Sequence, residues 1–175
     1  MVEPDRSQKA TTFADLYRNH AREVYRFALY LSGDPALAED IVSETFLRVW
    51  DSAVTVRMET VRGYLFTIAR NLFLHDLRRK RKQDPLENRP AIAATAAREA
   101  ESRLLQKEDL RDTLAALQML PESSRTALLL RAHEGLSYEE IARVLGLSLS
   151  SVKVKIHRAR LWLAERRKGA VHASD

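Results

Sequence analysis

Cysteine is absent from this chain of 175 residues. That removes disulfide frameworks, thiol nucleophiles and cysteine-based zinc sites from consideration. Five histidines, at positions 20, 75, 133, 157 and 172, show no metal-ligand spacing, so neither a metal nor another cofactor is expected. Glycine and proline are scarce, five of each, and aromatic residues make up 7%. No apolar run approaches the ~18 residues that span a bilayer, and the first residues lack a secretory signal pattern, so a cytoplasmic protein is expected. There is no nucleophile–base pair, phosphate-cradling loop or metal cluster, so an enzyme is not expected either. Short strand-like runs such as "AVTVR" lack partners, whereas helix formers dominate.

What is present is charge, unevenly placed. The formal net charge is +5, with 45% apolar residues to build cores. Residues 1–50 hold six Lys/Arg against eight Asp/Glu, a net of −2. Basic residues gather instead at 78–82 and between Arg143 and Lys168. One acidic docking surface and separate nucleic-acid patches would give this pattern.

The stretch "LSYEEIARVLGLSLSSVKVKIHRARLWL", residues 136–163, is the richest in local signals. Ser137 followed three residues later by Glu140 is a capping box. Ile141, Ala142 and Leu145 make one apolar side, and Gly146 supplies a residue able to turn left-handed past the helix end. Ser148 is a second N-cap, opening a helix with Val152, Ile156, Ala159 and Leu163 on one stripe. The pattern predicts a helix-turn-helix whose second helix enters the DNA major groove. With Val152 and Ile156 inward, the outward face centres on Ser150, Val154, His157 and Arg158, flanked by Ser151, Lys153 and Lys155. Arg158 could read guanine bidentately, and Val154 could touch a thymine methyl. A solvated basic helix is the plain alternative.

Upstream, the chain divides into two helical blocks. Phe13, Leu16, Tyr17, Val24, Phe27 and Leu31 recur at helical spacing until Ser32-Gly33-Asp34-Pro35 breaks the pattern. Asp34 and Pro35 suit the N-cap and first turn of a helix over about 36–50, with Leu37, Ile41, Thr45, Phe46 and Val49 as its apolar residues. A linker-like stretch, 51–62, precedes a third helix that begins near Gly63 and runs to "LRRKRK", where Asp84-Pro85 stops it. Leu65, Ile68, Ala69 and Leu72 of that helix can face the core. Thr67, Arg70, Asn71, Leu74 and Arg78 then point away, a face suited to single-stranded nucleic acid; a solvated helix end also accounts for the basic run.

A tether follows, then a helix from near Leu104 carrying Leu110, Leu114, Leu117 and Leu120 up to Pro121, and another over 122–134 with Leu128, Leu129 and Ala132 inward. The expected fold is all-α: two small helical domains, 12–83 and 104–168, joined by a linker over 84–103, the C-terminal one a helix-turn-helix.

The order "AEDIVSETFLRVW", "GYLFTIARNLFLHDLRR", tether, "LQMLPESSRTALLLRAHEGLSYEEIARVLGLSLSSVKVKIHRAR" resembles the sigma-70 family of RNA polymerase sigma factors. More narrowly it is similar to the extracytoplasmic-function (ECF) group, which keeps only conserved regions 2 and 4. The resemblance implies a role for each segment. Asp40, Ile41, Glu44, Phe46, Leu47 and Arg48 would dock on the clamp helices of core RNA polymerase. The 51–62 stretch would capture a flipped base of the −10 element of promoter DNA, at a stacking cost of a few kcal/mol. Tyr64, Thr67, Arg70, Asn71, Arg78, Arg79 and Lys80 would hold the melted strand. Ser150, Ser151, Lys153, Val154, Lys155, His157 and Arg158 would read the −35 element. Four positions depart from the usual pattern: Ser43 replaces Gln, Tyr64 replaces Trp, Val154 replaces a small polar residue, and His157 replaces Phe or Asn. An anti-sigma factor is the further partner the resemblance implies. A helix-turn-helix regulator of the response-regulator type would carry an α/β domain, which the helical first block argues against. A sigma mimic that titrates an inhibitor would have no reason to keep the Lys153, Lys155, Arg158 face.

Overall fold

A computed structural model describes residues 13–51, 61–83 and 101–172, with side chains over 13–51, 61–82 and 109–167. Seven α-helices make up the described residues, with no strand among them. They are α1 (Phe13–Ser32), α2 (Pro35–Asp51), α3 (Val61–Gln83), α4 (Glu101–Gln118), α5 (Glu122–Ala132), α6 (Tyr138–Leu145) and α7 (Leu149–His172).

Helix α1 ends where Ser32 turns its hydroxyl onto the Ala28 carbonyl and Gly33 takes φ 73°. Asp34 then caps α2, its Oδ1 accepting from the amides of Ala36 (2.9 Å) and Leu37 (3.3 Å). Pro35 occupies the first helical position, where its missing N–H costs nothing. Helices α1, α2 and α3 pack together around Phe27, Leu31, Ile41, Leu65 and Phe66, each 1% exposed or less. Full burial of such side chains contributes roughly 1.5–3 kcal/mol each.

The C-terminal helices close around Leu130, Ile141, Val152 and Ile156. Ser137 Oγ accepts from the Glu140 amide (3.2 Å), and Glu140 Oε2 from the Ser137 amide (2.7 Å), completing the capping box. Gly146, at φ 63°, lets its own amide reach Arg143 O and the Leu147 amide reach Ala142 O. These two bonds satisfy orphan carbonyls at the end of α6 in a Schellman arrangement. Ser148 Oγ accepts from the Ser151 amide and opens α7.

Several boundaries and faces differ from the sequence reading. Helix α3 starts at Val61, two residues before Gly63, and α4 starts at Glu101, taking in the last three residues of the expected linker. The rest of that linker, 84–100, and the 52–60 part of the stretch expected to capture a base lie outside the described residues. Helix α5 stops at Ala132, which is exposed, because the chain turns at Gly135 (φ 67°) and Leu136 then turns inward to replace it in the core. Tyr17 is 47% exposed, lying edge-on against Phe46 rather than beneath it. Leu110 is exposed as well.

The two helical blocks pack directly on each other. Helix α1 meets α4 and α5, and α3 meets α6. The buried apolar residues of both blocks, Leu114 aside, form one continuous cluster.

Candidate nucleic-acid interface

The outward side of α7 follows from its inward stripe. Val152, Ile156 and Ala159 are buried, and this rotation leaves Ser150, Lys153, Val154, His157 and Arg158 exposed. Ser151 and Lys155 are half-buried at the margins. Val154 is 46% exposed, a bare apolar spot in a basic field. Lys153 leans over the Tyr138 ring, its Nζ 5.8 Å from the centroid, which ties α7 to the start of α6. A groove runs beside this face, lined by Met119, Pro121, Ser150, Val154, Arg158 and Trp162.

On α3 the expected strand-binding residues fall into different situations. Asn71, Arg78, Arg79 and Lys80 are exposed. Arg79 and Lys80 both reach Asp76, at 2.9 Å each, so their charges are partly spent within the helix. Arg78 Nε donates to the Leu74 carbonyl. Tyr64 and Leu74 are partly buried against the core, and the Thr67 hydroxyl donates to the Gly63 carbonyl. Arg70 is not on open surface: Nε donates to Glu122 Oε1 (2.7 Å) and Nη2 to Glu122 Oε2 (2.9 Å). The expectation of a free Arg70 face is corrected by α5, which brings an acid against it.

On α2, Asp40, Leu47 and Arg48 are exposed and Glu44 is half-exposed. Arg48 Nε donates to Glu44 Oε1 at 2.8 Å. Ile41 and Phe46, expected on the docking surface, are 1% and 2% exposed. Their helical phase turns them onto α1 and the core, so they support the surface without presenting themselves on it. Trp50, outside the expected docking set, is 66% exposed and rests edge-on against Phe13, ring centroids 4.9 Å apart. A large aromatic ring left this bare beside Leu47 (58% exposed) is the apolar part of this face.

The contacts between the two blocks are the part that sequence spacing could not supply. Arg26 chelates Glu134 through Nε and Nη2 (2.9–3.1 Å), and Arg62 Nη2 donates to the Glu134 carbonyl at 2.6 Å. Arg62 Nε also reaches Glu23. Tyr30 stacks on His133, centroids 4.8 Å apart, while Gln118 donates to the Tyr30 carbonyl. Arg125 is buried, bonded to the Gln118 amide oxygen and set over the Phe73 ring. Desolvation lowers its pKa to about 10, against the raising influence of Glu122. Burial pushes the Glu122 carboxyl up, but hydrogen bonds from Arg70 and Thr126 and the charges of Arg70 and Arg125 outweigh it. The net result holds Glu122 below its ordinary value.

Family models match both blocks in the expected order: Sigma-70 region 2 over residues 16–83 and Sigma-70, region 4 over residues 110–163. The chain is 33% identical over 139 residues to the ECF RNA polymerase sigma factor EcfG of Rhodopseudomonas palustris, covering 79% of this chain and 75% of that one. This protein belongs to the ECF group of the sigma-70 family. The sigma factor is also 32% identical to RNA polymerase sigma factor YlaC of Bacillus subtilis, over 85% of its own length and 88% of the relative's. It is 40% identical to the ECF sigma factor SigE of Mycolicibacterium smegmatis over 86% of its length, but spans only 60% of that relative. Among solved structures it resembles the sigma factor RpoE of Bartonella quintana, in complex with the anti-sigma factor NepR. That match has a TM-score of 0.74 and 30% identity, covering 89% of this chain and 96% of the other. CnrH, solved with the cytosolic domain of CnrY, is 27% identical with a TM-score of 0.66, over 90% and 88% of the two chains. Among the described residues of this sigma factor, no helix is long and apolar enough to cross a membrane.

Proposed function

We propose that this protein docks on core RNA polymerase and directs initiation at promoters carrying its −35 and −10 elements. The observation that carries this reading is the exposed basic side of α7 on a capped helix-turn-helix, in a chain that also matches region 2. Residues 104–168 act as the −35 reader. Arg158, Val154, His157 and Ser150 address base edges, while Ser151, Lys153 and Lys155 hold phosphates. Residues 12–83 act as the −10 unit, and 84–103 as the linker. Tyr64 supplies a stacking surface, Thr67, Arg70 and Asn71 line the melted strand, and Arg78, Arg79 and Lys80 follow its backbone. Asp40, Glu44, Leu47 and Arg48 face the polymerase clamp from α2, with Ile41 and Phe46 bracing them from below.

The chain supplies recognition, and the chemistry of nucleotide addition belongs to the polymerase; it works in the cytoplasm without cofactor or metal. Holding both DNA readers on one enzyme converts two weak contacts into one strong one by raising the effective concentration of the second. The anti-sigma factor NepR bound to RpoE of Bartonella quintana supports an anti-sigma factor as its inhibitor. Run-off transcription with core polymerase on a genomic fragment library, with and without this protein, tests the reading. New start sites are expected; core binding without any new initiation overturns it.

A further inference from the structure

The stripe of α3 that the strand would follow is the one that the C-terminal helices cover. Gly63, Thr67, Arg70 and Leu74 lie at helical spacing on one side. Gly63 sits so near α6 that a side-chain carbon there would lie 3.9 Å from the Val144 side chain. One turn beyond Thr67, Arg70 is held bidentately by Glu122 of α5. Phe73, just past it, lies under Arg125. Just past the other end of α5, the buried Glu134 carboxylate is gripped by Arg26 of α1 and approached by Arg62 of α3. Three arginines of the N-terminal block are thus matched to two acids of the C-terminal block. A carboxylate presents oxygens to a guanidinium with the same bidentate geometry as a phosphate.

We infer that Glu122 and Glu134 form an intramolecular clasp that engages Arg70, Arg26 and Arg62 and takes the place of nucleic-acid phosphate at Arg70, holding the sigma factor closed and masking part of its own strand-binding face. The masking half of this inference rests on the proposed role of Arg70; the clasp itself does not. The two blocks must separate, or at least release Arg70, before that side chain reaches DNA. Binding is weakened by the fraction of molecules that are open.

The absence of cysteine makes the test direct. Asn19→Cys on α1 and Ala164→Cys on α7, both exposed, carry a donor and an acceptor dye on the full chain. High energy transfer is expected, falling in E122Q/E134Q while far-UV circular dichroism is unchanged. E122R should also lower transfer, by setting a third guanidinium against Arg70 and Arg125, and the swap R70E/E122R should restore it. Unchanged transfer in E122Q/E134Q and E122R, or no recovery in the swap, overturns the clasp. Masking is read by anisotropy with a fluorescein-labelled 20-nucleotide oligothymidine. The control E139Q/E165Q removes the same charge from exposed positions outside the interface. If about a tenth of molecules are open at rest, E122Q/E134Q should bind about tenfold tighter than that control. Equal affinity overturns the masking. Energy transfer involves neither polymerase nor promoter, so a negative transcription result and a negative clasp result are read separately.

Discussion

Arg70 and Glu122 face each other across the junction of the two helical blocks, joined by two N–H···O bonds of 2.7 and 2.9 Å. Their side chains are only 15% and 19% exposed, so the pair is shielded from much of the solvent that weakens surface ion pairs. The Thr126 hydroxyl donates to the same Oε1, which fixes the carboxylate within α5 as well as between blocks.

Acid should loosen the protein through this pair. The folded Glu122 carboxyl titrates below its ordinary value of 4.5, so its contribution is fully present above that value. It is lost as pH falls through the folded value. Glu140 behaves in the same direction, because the Ser137 amide and hydroxyl stabilise its charged form. Urea midpoints measured from pH 7 downward should drop below about pH 4.5, and E122Q should show a shallower acid decline than the parent. Parallel declines would mean that the titration of Glu122 does not contribute.

Ser137→Ala removes one half of the capping box and leaves the Glu140 amide without its acceptor. Loss of such a cap costs about 0.5–2 kcal/mol. Chemical denaturation should show a lower midpoint at an unchanged slope, and Ser137→Asp should recover most of the loss. An unshifted midpoint in the alanine variant would show that the cap is redundant with packing.

Base reading and phosphate holding separate by their response to salt. Arg158→Ala should relax preference at one base pair of the −35 element, costing roughly 1–3 kcal/mol there if the contact is bidentate. Lys155→Ala should weaken all sequences alike and reduce the salt slope by about 1. Promoter-library selection against titrations at several salt concentrations distinguishes the two. An Arg158→Ala variant that binds weakly with unchanged preference would remove Arg158 from base reading.

On α2, Leu47→Ala should weaken core polymerase binding by tenfold or more if Leu47 anchors the docking surface, a loss of about 1.4 kcal/mol or greater. Stability should move by no more than about 0.5 kcal/mol, because the side chain is 58% exposed. Trp50→Ala should combine a docking defect with a small stability loss, since it also gives up its edge contact with Phe13. Full core affinity in both variants would place the docking surface elsewhere.

Local chemistry was readable in advance because it depends on neighbours in sequence. Asp34-Pro35, the Ser137–Glu140 box, Gly146 and the phase of α7 each follow from residues within one or two turns. The family motif spans both faces of α2, so motif membership alone does not separate the exposed residues from Ile41 and Phe46, which are buried. Continuing the stripe through Thr45 and Val49, both buried, turns them inward. The clasp was illegible for a different reason. Arg70 and Glu122 are 52 residues apart, and Arg26 and Glu134 are 108 apart. In a chain with 30% charged residues each looks like ordinary surface charge. Only tertiary packing decides which of many possible pairs meet.

Glu134 has an unequal share in its own contacts. Arg62 can lose it and still hold the carboxylate of Glu23, and Glu134 can lose Arg62 and still be chelated by Arg26. Replacing Glu134 itself leaves two guanidiniums facing one another across the space it filled. Tolerance to substitution should therefore be lopsided: in a saturation library scored by energy transfer, the closed state should survive more replacements at positions 26 and 62 than at position 134.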